Sequence, residues 1–168
     1  MKIFILPLSI FFTYTVIGQN KPNADVALKS LKITVAAINA NLAKYKKTVK
    51  ENVTGESTEG DEIREYFENG KIKKMVADFY GETYHYIEEY YFDDGKLVFF
   101  YSKADKYKVP MNVDSNVKIA STQEERYYFQ NGNIVAVNLH PAKPVSPADM
   151  KSLTIKTVKE ASRLMKLK

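Results

Sequence analysis

The sequence holds no cysteine, no tryptophan and only two histidines, His85 and His140. Without cysteine there are no disulfides, no thiolate metal site, no nucleophilic thiol and no lipid attached through a processed N-terminal cysteine. Neither histidine has the neighbours of a metal site or of a nucleophile relay, no serine sits in a nucleophile elbow, and no glycine loop suits a nucleotide phosphate. The formal charge of +5 comes from basic residues interleaved with acidic ones, unlike the clustered stripe of a nucleic-acid binder, so no nucleic acid is expected. Long apolar runs are also missing. The one candidate span, at the N-terminus, is interrupted by Pro7, Ser9, Thr13 and Thr15 and falls short of the roughly 20 residues that cross a bilayer.

That N-terminal segment reads instead as a secretory signal peptide. Lys2 supplies the basic start, Ile3 to Phe12 the apolar stretch, and Val16 and Gly18 the small or tolerated residues before a cut at Gln19. The expected organisation is a leader over 1–18 and one domain over 19–168, secreted or periplasmic, with no stable membrane span after cleavage. A chain of 168 residues with 45% hydrophobic content supports one sizeable core and is short for two. Asn52, Val53 and Thr54 form a glycosylation sequon, meaningful only in a eukaryotic secretory route.

What is abundant is a short phrase that occurs three times, at Tyr66 to Ile72, Tyr91 to Leu97 and Tyr128 to Ile134. Each copy runs aromatic, Phe, polar, Asn or Asp, Gly, Lys or Asn, aliphatic. Asn-Gly and Asp-Gly between apolar strand residues signal type I′ hairpin turns, because both central positions need positive φ. Six strands are expected, at 61–68, 71–80, 83–93, 96–103, 121–130 and 133–139, with Gly81 and Glu82 forming a Gly-first II′ turn. Lys103 to Gln123, with Pro110 in its middle, reads as a long polar loop.

Two helices flank the strands. From Ala24 to about Glu51, Leu28, Leu31, Val35, Ile38, Leu42, Tyr45 and Val49 recur at spacings of three and four, an amphipathic stripe with Asn23 as N-cap. Asn52 to Gly60 is a solvated connector. Ser146 before Pro147, with Asp149 at the third helical position, starts a final helix to Leu167 whose apolar side carries Met150, Leu153, Val158, Ala161, Leu164 and Met165. The order predicts an α+β fold: a six-stranded antiparallel meander with both helices packed on one face.

Pairing propagated from the turns sorts the side chains into two sets. Tyr66, Met75, Ala77, Phe79, Tyr84, Tyr86, Tyr90, Phe92, Leu97, Phe99 and Tyr101 make the face under the helices. The other face holds Phe67, Ile72, Val98 and Phe100 together with Lys74, Asp78, Tyr80, His85, Ile87, Glu89 and Tyr91, and sets Lys74 opposite Glu89 and Asp78 opposite His85. The neighbouring carboxylates Glu88 and Glu89, and Glu124 and Glu125, point to opposite faces of a strand and cannot share a substrate. The chain also carries 12 Tyr and 9 Phe, which stabilise one another across strands and, at an open face, stack on sugars or grip peptides.

The repeated phrase resembles the hairpin units of variant MORN-type repeats, including the antitoxin-component-like proteins of bacteria, over residues 61–139. The resemblance implies a hairpin architecture and carries over no functional residue, since an antitoxin role conflicts with export. Its glycines, Gly70, Gly95 and Gly132, are unevenly spaced. The overall plan is also similar to that of small exported proteins of Gram-negative bacteria. The resulting expectation is a non-enzymatic exported domain, monomer or weak homodimer, with no cofactor and no metal. It engages a protein, peptide or glycan at the cell envelope through Lys74, Asp78, Tyr80, His85, Ile87, Glu89 and Tyr91. The alternative is a carrier of a small apolar ligand in a curled sheet lined by Phe100, Tyr91 and Ile72; a hydrolase ranks last because acid, base and nucleophile groupings are missing.

Overall fold

Positive φ occurs in three adjacent pairs, Asn69 with Gly70, Asp94 with Gly95 and Asn131 with Gly132, as type I′ turns require. A computed structural model describes residues 21–114, 116 and 118–168, with side-chain environments from residue 26 on. The expected leader over 1–18 and the cut before Gln19 lie outside the described residues. The chain order is α1 (Lys21–Ala40), a single 3-10 turn (Leu42–Lys44), β1 (Lys46–Glu51), β2 (Asp61–Glu68), β3 (Lys71–Gly81), β4 (Tyr84–Asp93), β5 (Lys96–Tyr107), β6 (Ile119–Gln130), β7 (Asn133–His140) and α2 (Pro147–Met165). Every strand pairs antiparallel with its sequence neighbours, so one sheet runs β1 to β7 as a meander.

The expected α+β meander is therefore present, with seven strands rather than six. The seventh comes from the segment expected to prolong the first helix. Asn41 turns its side-chain amide onto the Ala37 carbonyl at 2.9 Å, which satisfies an orphan acceptor at the helix end. Beyond the 3-10 turn, Lys46 to Glu51 pairs with Glu62 to Phe67. Thr48 and Lys50 both bond the Glu65 carboxylate, the lysine at 3.0 Å. Tyr45 and Val49 fit a helical period by spacing alone, and strand pairing overrides it. At the other end α1 already includes Lys21, so Asn23 lies inside the helix and is not its N-cap; Pro22 falls in the first turn, where its missing N–H costs no hydrogen bond.

Each of the three Asn/Asp-Gly hairpins also carries one unpaired residue just past its turn. Tyr66 pairs with Lys74 but Phe67 with Ile72, which leaves Lys73 without a partner on β2; the same step leaves Val98 in β5 and Val135 in β7. One extra residue inverts the facing of everything beyond it. Phe67, Ile72 and Phe100 thus lie with Met75 and Tyr90, whereas Tyr66, Phe99 and Tyr101 lie with Lys74 and Tyr91, a reversal of their expected faces.

The two helices sit on opposite faces of the sheet rather than together. α2 packs Ala161 and Leu164, with Met150, Leu153 and Met165, onto Ile63, Met75, Phe79, Tyr90, Phe92, Phe100, Tyr127 and Phe129. Val158, expected in this stripe, is exposed, and Thr157 is buried instead. The expected capping box closes the start of α2: Ser146 accepts from the Asp149 backbone N–H, and the Asp149 carboxylate accepts from the Ser146 N–H. α1 packs Ile38 and Val35 against Tyr91 and Phe99 on the reverse side. The expected loop over Lys103–Gln123 is shorter, because β5 extends to Tyr107 and β6 begins at Ile119.

Candidate functional site

The β3–β4 turn sets the register of the expected site. Its central residues are Glu82 and Thr83, while Gly81 pairs with Tyr84 as the last residue of β3, so the II′ turn starting at Gly81 does not form. A Cβ on Gly81 would lie 2.3 Å from the Tyr84 ring. The glycine is needed here so that the ring can lie across the backbone. The register consequently differs by two residues from expectation: Lys74 stands opposite Tyr91, not Glu89, and Asp78 opposite Ile87, not His85. A shift of two preserves facing, so Lys74, Asp78, Tyr80, His85, Ile87, Glu89 and Tyr91 do share one face, the α1 side.

Position along the strands divides that set. At the end nearer the Asn/Asp-Gly tips, α1 covers Lys74 and Tyr91, both buried. The Lys74 ammonium lies 3.0 Å from Glu89 Oε2, donates to Tyr91 Oη at 2.8 Å and to Asn39 Oδ1 of α1 at 3.1 Å, and sits 4.6 Å from the centre of the Tyr91 ring. Burial pushes the lysine below its ordinary pKa, and Glu89 only partly restores it. Burial, then the hydrogen bond to Glu89, pushes the Tyr91 phenol well up. These three groups fasten α1 to the sheet.

The other end, toward the β3–β4 turn, has no helix over it. Tyr80 and His85 form a cross-strand pair with rings stacked at 4.9 Å and only 7° between planes. His85 Nε2 is 3.0 Å from Asp78 Oδ1. Asp78 is buried and paired through its second oxygen with Arg64, which also holds Glu62. Opposite His85 on β5, Asp105 is held by Lys103 at 2.7 Å and by Thr122. Further along, Arg126 lies 4.9 Å from the Tyr101 ring and pairs with Glu124 at 2.6 Å. Two parallel rings and Ile87 are framed by charges that already have partners.

Sequence reasoning missed the polar group on the α2 side. Glu88 is buried and accepts from the Tyr86 phenol at 2.6 Å and from Tyr90. Burial pushes its carboxyl up, against the two phenol hydrogen bonds that pull it down. The available signal was Glu-x-Tyr at a period of two, which puts both side chains on one face. It recurs: Tyr90 donates to Glu88, Tyr91 to Glu89 and Tyr127 to Glu125. As expected, adjacent carboxylates part company, Glu88 and Glu125 to one side and Glu89 and Glu124 to the other. Phe100 and Ile72 belong to the α2-side core while Tyr91 belongs to the α1-side cluster, so these three do not line a common pocket.

Among the described residues no group of three or more His, Cys, Asp or Glu is placed to hold a metal ion, and no helix is long and apolar enough to cross a membrane. Comparison of the chain with models of protein families, with curated proteins and with solved structures gives no match.

Proposed function

We propose that the protein is an exported, non-enzymatic binding domain that engages a protein, peptide or glycan at the cell envelope through the part of the sheet that α1 leaves uncovered. The reading is supported chiefly by the stacked Tyr80 and His85 rings. An exposed aromatic surface with a polar tip suits a sugar ring or an extended peptide, which lay flat apolar bodies on it and exchange hydrogen bonds at its rim. Ile87 extends the apolar patch, and Glu89 borders it with a side chain that reaches solvent. Asp78, Lys74 and Tyr91 act from behind: they are buried and hold the rings and α1 in place. The charges around the patch are paired with one another, so a ligand meets a preorganised rim rather than free charges that must reorganise.

The address rests on the leader pattern over Met1 to Gly18. N-terminal sequencing of the protein from a cell-envelope or culture fraction should begin at Gln19. Binding is tested by passing envelope extracts and glycan and peptide arrays over the immobilised protein. Tyr80→Ala with Ile87→Ala should reduce capture at least tenfold while leaving the urea midpoint nearly unchanged, because both side chains are partly or largely exposed. Equal capture by the double variant removes this face as the binding surface.

A further inference from the structure

The loop between β5 and β6 offers aliphatic side chains to water in a pattern that the binding reading does not use. Val109, Met111 and Val113 on the loop, and Ile119 where β6 begins, are all exposed, Val113 at 74%. The loop is braced rather than free. Lys108 N–H donates to the Lys118 carbonyl at 2.8 Å across its base, Met111 N–H to the Glu82 carbonyl of the β3–β4 turn at 2.8 Å, and Val113 N–H to the Pro110 carbonyl at 3.0 Å. Its stem carries Lys106, Lys108 and Lys118, all exposed, against the acidic Glu82 and Asp114, the latter turned back to accept from the Asn116 N–H at 2.9 Å.

We propose that this loop docks the protein on an anionic lipid surface, with Val109, Met111, Val113 and Ile119 entering the interface and Lys106, Lys108 and Lys118 meeting the headgroups. Exposed aliphatic side chains grouped in one place mark a surface made for a protein or a membrane. The composition favours the membrane. Protein interfaces are enriched in aromatic residues and arginine and depleted in lysine, whereas this loop is aliphatic with lysines at its base. Long lysine stems can lie along apolar surface while the ammonium stays at the water boundary, and anionic headgroups attract basic residues close to the surface. Docking there would present Tyr80 and His85, at the same end of the sheet, close to the bilayer. The proposal does not depend on the ring pair binding anything.

The chain has no tryptophan, so Val113→Trp introduces a single fluorescent reporter at the most exposed of these positions. With vesicles of phosphatidylglycerol and phosphatidylethanolamine its emission should shift to the blue and be quenched by brominated acyl chains. With phosphatidylcholine vesicles the shift should be much weaker. Replacing the three lysines by glutamine should weaken binding to anionic vesicles about fivefold per lysine, so roughly a hundredfold in all. Met111→Asp in the reporter background should abolish the shift. Circular dichroism confirms that each variant is folded, and Ile119→Trp supplies a second reporter if Val113→Trp is not. No shift on anionic vesicles, an equal shift on phosphatidylcholine, or a shift that appears with protein concentration alone would each overturn the assignment, the last in favour of self-association.

Discussion

The two faces of the same sheet are built in different ways. On the α2 side a continuous apolar layer runs from Ile63 through Met75, Tyr90, Phe100 and Phe129 to Leu164, with polar exceptions such as Glu88 satisfied by tyrosine hydroxyls. On the α1 side the buried apolar cluster is Ile38, Tyr91 and Phe99 alone, and the rest of the face is occupied by ion pairs and their aromatic neighbours. Hydrophobic burial scales with area and tolerates no water, whereas paired charges tolerate it well. One side therefore supplies cohesion, and the other keeps a surface that can exchange water for a ligand.

The largest test of that contrast is truncation on each side. Leu164→Ala, at the centre of the α2-side core, should lower unfolding free energy by about 3–4 kcal/mol, while Ile38→Ala in the small α1-side cluster should cost about 2 kcal/mol, both read by urea denaturation. Next, Lys74→Met leaves the Glu89 carboxylate and the Tyr91 hydroxyl without their cation. It should cost about 1–3 kcal/mol, and adding Glu89→Gln should recover most of the loss. A milder comparison concerns the helix ends. Ser146→Ala removes the α2 capping box and should lower global stability by about 1 kcal/mol. Asn41→Ala, which removes a single bond to the Ala37 carbonyl, should change it by less than about 0.5 kcal/mol.

The finest discrimination is a slope with pH. Glu88 has a folded-state pKa raised above its unfolded value, chiefly by burial. Its carboxylate therefore weighs against folding above the raised value, and that penalty fades as pH falls through it, disappearing below the ordinary carboxylate range. Denaturation midpoints of the native chain should gain on those of Glu88→Gln as pH drops from neutral. Parallel curves would show that Glu88 is not desolvated as the structure places it.

Turn chemistry was the most legible level of the sequence. Asn69, Asp94 and Asn131 each precede a glycine, and few other residue pairs accept two successive positive φ values. The start of α2 was equally plain, because a capping box is local. The end of α1 was not, since Tyr45 and Val49 satisfy a helical period while the neighbouring β2 offers a better use of their backbone. Nor did the phrase itself reveal its unpaired residue, and without that residue the facing of Phe99 and Phe100 comes out reversed. The seven site residues nevertheless emerged on one face, because the error at Gly81 was an even number of positions. That α1 would cover Lys74 and Tyr91 could not be read from periodicity, as nothing local states which side of a sheet a helix chooses.

The unpaired residue in each Asn/Asp-Gly hairpin also determines how this sheet tolerates change in length. A turn, its kink and the aromatic residues beside them are contained in one short stretch, so adding or losing an entire two-strand unit keeps every remaining side chain directed as before. Deleting Val98 or Val135 alone would instead rotate the rest of a strand by half a turn, sending core side chains into water and charged ones into the core. Growth and loss by whole units is thus the permitted route for such a chain, and a single-residue deletion in those hairpins should be far more damaging than its size suggests.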